Sequence, residues 1–356
     1  MTRLDRPQRA RAAVAVAAIT LALAVATAVA PVTATAAISP FNQQGMWIWY
    51  INQAEKGSVE RIIARAKRFK VKTLFVKSAD GSSYWPQFEM SVAQLKAAGL
   101  RVCAWQYVYG RDPVIEADLA AKAAARGAEC LVINAETEYK TRYAAAQTYI
   151  SRLRSLIGPA FPVGLTSFAY PDYHPTFPYS VFLGPGGAQW NLPQTYFKAF
   201  GQSIPNVFAR TYSINQVYGR AIRPLGQTYD RVGPRQVIEF RRYARLYRAR
   251  GYSWWSWQHT RVEAWKAMRR RLRPSGTRAV TPAYPLVKQG VKSDLVRWAQ
   301  LHLAAAGVAT ATDANFNIAT TAAVQNFQTD RGLAPTGQLD QATWTALLRV
   351  PLPAPG

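Results

Sequence analysis

The chain has 356 residues, with 44 Lys and Arg against 19 Asp and Glu, and only two cysteines and three histidines. A formal charge of +25 points to polyanionic surroundings. So few histidines and cysteines, in no metal-binding spacing, argue against a zinc enzyme.

Residues 1–37 have the layout of a secretory signal peptide. Arg3, Arg6, Arg9 and Arg11 form a basic start, an uncharged Ala/Val/Leu-rich stretch runs from Ala12 to Ala30, and Ala34-Thr35-Ala36 suits cleavage. Export with cleavage is expected over a retained anchor, because alanine is only weakly apolar and no other segment approaches a membrane span. The mature protein would keep about +22. Outside the cell the available polyanions are anionic wall polymers and lipid surfaces, and no motif supports a nucleic-acid partner.

From Ile38 to Leu272, short apolar strands alternate with helical stretches. The expected strands are Met46–Tyr50, Thr73–Lys77, Arg101–Tyr107, Cys130–Glu136, Pro162–Ser167, Ala188–Asn191, Pro224–Thr228 and Tyr252–Trp257. Helical patterns cover Val59–Phe69, Val92–Ala98, Pro113–Arg126, Thr141–Leu156 and Arg235–Arg250. Eight strands in about 235 residues is the arithmetic of a (β/α)8 barrel, a TIM barrel. A doubly wound sheet is the alternative, but no glycine-rich phosphate loop follows a strand, so no nucleotide or other cofactor is expected. The densest basic runs, Arg241 to Arg250 and Arg269 to Arg273, fall on helical stretches and read as solvated faces. Cys103 and Cys130 lie in the apolar strands VCAW and CLVI, where cysteine packs as a small hydrophobe, so two free thiols are expected although export would permit a bridge.

In such a barrel, function collects at the C-terminal ends of the strands. Those ends are aromatic and amide-rich here: Trp47 and Trp49, Trp105-Gln106-Tyr107, Trp190, Gln227, Trp255, Trp257 and Gln258. Aromatic faces with a few amides suit sugar rings, although some of these residues must simply pack the barrel. Carboxylates are few enough to enumerate near strand ends: Asp80, Glu136, Glu138, Asp172 and Asp230. Glu136 ends the fourth strand, shares a face with Asn134, and could protonate a glycosidic oxygen if its surroundings raise its pKa. Asp80, Asp172 and Asp230 are candidate second carboxylates, with Asp80 the preferred catalytic partner; Asp80-Gly81 also reads as a tight turn. Glu138 reads as an exposed cap of the next helix, His174 as a loop hydrogen-bonder, and His259 as a rim residue.

Residues 273–284 are polar, hold Pro, Gly and Ser, and read as a linker. Residues 285–350 then form a three-helix unit. The first helix runs from Asp294 to Ala306 with Leu295, Trp298, Leu301 and Leu303 as its apolar positions, and stops at Gly307. The second begins at Thr320, carries Ala323, Val324 and Phe327, and stops at Gly332. The third follows Gly337 with Leu339, Trp344 and Leu347. No internal repeat is evident.

Two resemblances follow from these residues. Gln300-Leu301, Asp313-Ala314-Asn315-Phe316-Asn317, Thr320, Ala323-Val324, Phe327-Gln328, Gly332-Leu333, Gly337 and Thr343-Trp344 resemble the peptidoglycan-binding-like domain of secreted cell-wall hydrolases. Ala314 and Asn317 stand where that family has glycines; Asn tolerates left-handed backbone, whereas Ala does so less readily. The barrel is loosely similar to the glycoside hydrolase TIM barrels, in particular to family 25 lysozymes, which carry a D-x-E motif after strand four and a W-Q pair on strand eight. The matching residues are Asn134-Ala135-Glu136 and Trp257-Gln258, with Asn134 replacing the aspartate. The resemblances imply an exported protein that holds peptidoglycan with its C-terminal domain. They further imply that it hydrolyses a wall or extracellular glycan with Glu136 as acid, or binds glycan without cutting it.

Overall fold

The computed structural model describes residues 39–273, 276–278 and 280–353. The expected signal peptide, residues 1–37, lies outside the described residues. Strand β1 (Gln43–Ile48) leads through helix α1 (Val59–Arg68) to β2 (Thr73–Asp80), which folds back on β3 (Ser83–Tyr84) before α2 (Gln87–Ala97). Then follow β4 (Arg101–Val108), α3 (Pro113–Ala125), β5 (Cys130–Ala135), α4 (Tyr143–Ile157) and β6 (Val163–Thr166). The second half is more broken, with α5 (Tyr179–Phe182), β7 (Trp190–Asn191), β8 (Gln194–Thr195), α6 (Ile204–Asn215), β9 (Ala221–Ile222) and β10 (Leu225–Gln227). It ends with α7 (Pro234–Leu246), β11 (Gly251–Trp255) and α8 (Val262–Met268).

Every pairing except β2–β3 is parallel. Strands β7 and β8 occupy one strand position, interrupted at Leu192-Pro193, and β9 and β10 occupy the next, interrupted at Arg223-Pro224. Proline has no N–H for the ladder, so each run breaks there. Because β7 pairs with both β6 and β9, and β8 pairs with β10, the order β11–β1–β2–β4–β5–β6 is closed into a ring of eight strand positions. The fold is a (β/α)8 barrel. Helices start where the chain supplies caps: Ser58, Asp112 and Ser203 each accept from a backbone N–H in the first turn of α1, α3 and α6.

Alternation along the strands divides two cores. Met46, Leu74, Val76, Val102, Leu131 and Ile133 face the helices, while Trp47, Phe75, Cys103, Trp105, Cys130 and Val132 fill the barrel interior. Interior space is tight: a Cβ on Gly164 would lie 2.7 Å from Leu192 Cδ1. Cys103 and Cys130 are register partners on β4 and β5, 4.6 Å apart at Cα, and are joined by a disulfide. This corrects the expectation of free thiols. Apolar surroundings say nothing about pairing, whereas side-by-side inward positions bring the two sulfurs together. The second basic run is also corrected, since Arg269 to Arg273 lie beyond the end of α8 in irregular chain.

The C-terminal unit consists of α9 (Asp294–Ala305), α10 (Ile318–Asp330) and α11 (Gln341–Leu347), capped by Ser293, Asn317 and Asp340. It holds a repeat that the sequence did not make evident. Gln300 in α9 is fully buried, donates to Asp313 Oδ1, Asn315 O and Thr320 Oγ1, and accepts from Ala314 N. Gln328 in α10 does the same one helix later, donating to Thr336, Gln338 O and Thr343 and accepting from Gly337 N. Each glutamine amide thereby ties a loop to the helix that follows it. Ala314 has φ +64°, the strained left-handed position, whereas Asn317 has φ −91° and acts as the α10 cap.

The described residues of 273–284 hold neither helix nor strand. The helical unit is nonetheless docked on the barrel. Asp294 N donates to Pro175 O, Trp298 Nε1 donates to Val217 O, and the Asp294 carboxylate accepts from Ser180 and Tyr218.

Candidate functional site

The C-terminal ends of the barrel strands surround a pocket of about 370 Å3. Residues two apart on a strand share a face. Trp47 and Trp49 follow from β1, Trp105, Tyr107 and Tyr109 from β4, Asn134 and Glu136 from β5, and Gln194 and Tyr196 from β8. Lys77 and Asp80 from β2, Thr166 from β6, Leu225 from β10 and Trp255 from β11 complete the lining. The floor is an aromatic cluster in which Trp47, Trp105 and Trp255 pack at centroid separations of 5.3–5.8 Å.

Glu136 Oε1 accepts from Gln194 Nε2 at 2.8 Å, and the same amide lies 3.4 Å from Asn134 Oδ1. Burial raises the pKa of the Glu136 carboxyl; the Gln194 hydrogen bond works the other way, and the nearby Glu138 charge adds to the rise. Across the pocket, Lys77 Nζ stands 2.5 Å from Asp80 Oδ2. The Lys77 side chain is 2% exposed, and its ammonium lies 4.3, 4.9 and 5.2 Å from the ring centroids of Trp85, Trp105 and Trp49. Burial lowers the Lys77 pKa, and Asp80 opposes that shift by hydrogen bond and by charge. Asp80 Oδ1 accepts from Tyr109 Oη at 2.8 Å, and Glu138 Oε2 accepts from Tyr107 Oη at 2.8 Å. Chiefly through burial, the Tyr107 phenol is raised and that of Tyr109 is pushed up to about 12.

Glu136, Asp80, Asn134, Trp47, Trp49, Trp105, Tyr107 and Trp255 are therefore gathered around one cavity. The remaining sequence candidates are not. Trp190 sits on Phe41, a residue that precedes β1, at the opposite end of the barrel from the mouth. Gln106 alternates with the inward Trp105 and donates to Gly81 O. Gln227 is buried and accepts from Lys198 N and Ala199 N. Trp257 packs on Trp265 at 4.8 Å in the helix-facing core, and Gln258 braces the strand-one loop by donating to Tyr50 O. These positions lie away from the pocket because a strand-end residue can face a helix or a loop as easily as the mouth. Of the other carboxylates, Asp172 pairs with Arg210 at 2.6 Å on the surface, and Asp230 is exposed, lining no part of the pocket. Glu138 is half-buried and bound to Tyr107, a correction of its reading as an exposed cap.

Lys77, Tyr109, Thr166, Gln194, Tyr196 and Leu225 escaped the sequence reading. Lys77 and Tyr109 continue the two-residue periodicity of their strands, which was the available signal. Gln194 and Tyr196 lie beyond a proline break that hid their strand. Among the described residues no group of three or more His, Cys, Asp or Glu side chains is placed to hold a metal ion, and no helix is long and apolar enough to cross a membrane.

The buried glutamines Gln300 and Gln328 and the caps around them are the motif positions of the C-terminal unit. Residues 292–347 match the family described as putative peptidoglycan binding domain. Over this domain the chain is similar to a peptidoglycan-binding protein from Clostridioides difficile, solved in complex with glutamine hydroxamate. The identity is 30%, over 19% of this chain and 44% of that one, with a TM-score of 0.19. The barrel is similar to the spore cortex-lytic enzyme SleL of Bacillus cereus, at 8% identity over 64% of this chain and 73% of that one, TM-score 0.47. It is also similar to a chitinase from Chromobacterium violaceum, at 9% identity over 64% and 98%, TM-score 0.45. No curated protein matches the sequence.

Proposed function

We propose that the chain is an exported, cell-wall-associated protein whose barrel hydrolyses a wall or extracellular glycan, with its peptidoglycan-binding domain retaining it on peptidoglycan. The observation that carries the catalytic part is Glu136: a carboxyl with a raised pKa, held by Gln194 in an aromatic-walled pocket at the end of β5. A carboxyl whose pKa is raised by burial holds its proton more firmly and can donate it to a glycosidic oxygen as the bond breaks. The indole and phenol faces of Trp49, Trp255 and Tyr196 offer flat surfaces for sugar rings. The signal-like residues 1–37 support export, and the family match of residues 292–347 supports the wall as location and peptidoglycan as partner.

A second reading, glycan binding without cleavage, is favoured by the state of Asp80. Hydrolysis ordinarily needs a second carboxylate free to act as nucleophile or base, and Asp80 is tied to Lys77 and Tyr109, while Asn134 cannot ionise. One experiment separates the two readings. The full chain should release reducing ends from purified peptidoglycan or another extracellular glycan, and Glu136→Gln should lower that rate by about a hundredfold or more while leaving pelleting with peptidoglycan unchanged. Full activity in Glu136→Gln would remove Glu136 as the acid. Binding with no release by the wild type would establish the second reading.

A further inference from the structure

The two arginine runs that read as separate solvated faces converge in the fold. Both α7 and α8 run from the C-terminal ends of the strands back toward the N-terminal ends. Arg241 and Arg245 in the second half of α7 thus meet Arg269, Arg270 and Arg271 beyond α8, and Lys70 between α1 and β2. Together with Leu272 they line one cleft of about 770 Å3 at the opposite end of the barrel from the pocket. No aspartate or glutamate lines it. Among the described residues, none of Lys70, Arg245, Arg269, Arg270 and Arg271 makes an ion pair. Arg241 is built into the wall: it is 9% exposed, with Nε donating to Tyr252 Oη at 3.2 Å and Nη1 to Ala267 O at 2.7 Å. Six cations held in one concavity without a counter-charge repel one another, and an anion in the cleft would relieve that repulsion.

We propose that this cleft binds a linear phosphodiester polyanion of the polyol-phosphate type. Arginine forks match phosphate oxygens in pairs, and a run of guanidiniums along a groove follows a chain with regularly spaced charges. A lipid surface fits less well: the cleft is concave, and its one apolar residue, Leu272, is 9% exposed and leaves nothing to insert into a bilayer. Single-stranded nucleic acid fits less well too, because no aromatic ring lines the cleft to stack a base. Bound at this end, the polymer would leave the pocket at the other end of the barrel open to glycan. The inference does not depend on what the pocket does.

The test uses the full chain with poly(glycerol phosphate) as the probe, at several salt concentrations. The triple variant Arg245→Ala/Arg270→Ala/Arg271→Ala changes only exposed side chains. It should lose at least tenfold in affinity, and its salt slope should flatten by about two to three as phosphate contacts disappear. Lys288→Ala/Arg331→Ala/Arg349→Ala removes the same charge from exposed positions on the C-terminal unit and should change affinity by less than about threefold. Equal losses in the two variants would mean general charge attraction and would overturn the site. Tighter binding to phosphatidylglycerol vesicles or to an oligonucleotide than to the polymer would overturn the choice of ligand.

Discussion

Lys77 Nζ and Asp80 Oδ2 stand 2.5 Å apart inside the mouth of the barrel, with the lysine 2% exposed and the aspartate 28% exposed. The pair sets the charge inside the pocket by holding one of its carboxylates against a buried cation. It also decides stability. Removing one member of such a pair leaves the other charge among indole rings, which is worse than removing both. Asp80→Asn should cost about 2–3 kcal/mol in unfolding free energy, less than for a fully buried pair because Asp80 is partly wet. Lys77→Met/Asp80→Asn should recover part of that loss. Chemical denaturation of the single and double variants is the measurement. A double variant less stable than Asp80→Asn would show that the pair is not coupled as the geometry requires.

Trp255 and Trp257 differ by two residues and by role. Trp255 lines the pocket and contacts Trp47, Trp49 and Trp105, whereas Trp257 is buried against Trp265 behind the barrel wall. Trp255→Ala should weaken glycan binding by about tenfold, the loss of one stacking surface, with a modest change in melting temperature. Trp257→Ala should destabilise the fold by about 3–5 kcal/mol and leave the affinity of the folded fraction nearly unchanged. Titration calorimetry together with thermal melts distinguishes the two, and equal affinity losses would refute the division.

Much of this architecture was legible because strand runs such as Thr73–Lys77 and Cys130–Glu136 are continuous and apolar, as parallel strands buried on both faces must be. Asn134 and Glu136 were placed on one face by strand periodicity, and the pocket holds both. Sequence reasoning failed where the chain breaks its own pattern. Pro193 splits the sixth strand position, so Gln194, the partner of Glu136, looked like loop. The basic cleft could not be read at all, because its three segments are brought together only by the closure of the barrel. Helix α6 was missed although Ser203 and Pro205 announce its start and Ile204, Val207, Phe208 and Thr211 give it a buried stripe.

The disulfide gives a direct chemical readout. Titration of denatured, unreduced protein should find no free thiol, and two after reduction, because Cys103 and Cys130 bridge β4 and β5 inside the barrel. Reduction removes a link that constrains the unfolded chain, at a cost of about 2–4 kcal/mol. The midpoint of unfolding should fall accordingly in a reducing buffer, and two thiols in the unreduced protein would contradict the bridge.

Asp294 supplies the last prediction. It begins α9, is 2% exposed, and accepts from Ser180 N, Ser180 Oγ and Tyr218 Oη where the peptidoglycan-binding domain meets the barrel. Burial pushes its carboxyl up to about 7, against those three donors and against Arg297, which favour the ionised form. Tyr143 and Tyr218 face the same carboxylate, and both phenols are raised, so they stay neutral over the relevant range. An unfolded aspartate titrates near 3.9, so between about pH 4 and 7 the folded state holds a proton that the unfolded state has released. The contribution of this group to stability is therefore complete below about pH 4 and is lost as pH rises through about 7. Asp294→Asn mimics the protonated form and should remove that dependence. Relative to the wild type, the melting temperature of the variant should improve from pH 4 to about pH 7 and level off above it. A difference between the two proteins that stays constant across that window would show that Asp294 does not titrate there, and that the docked domain is held without its proton.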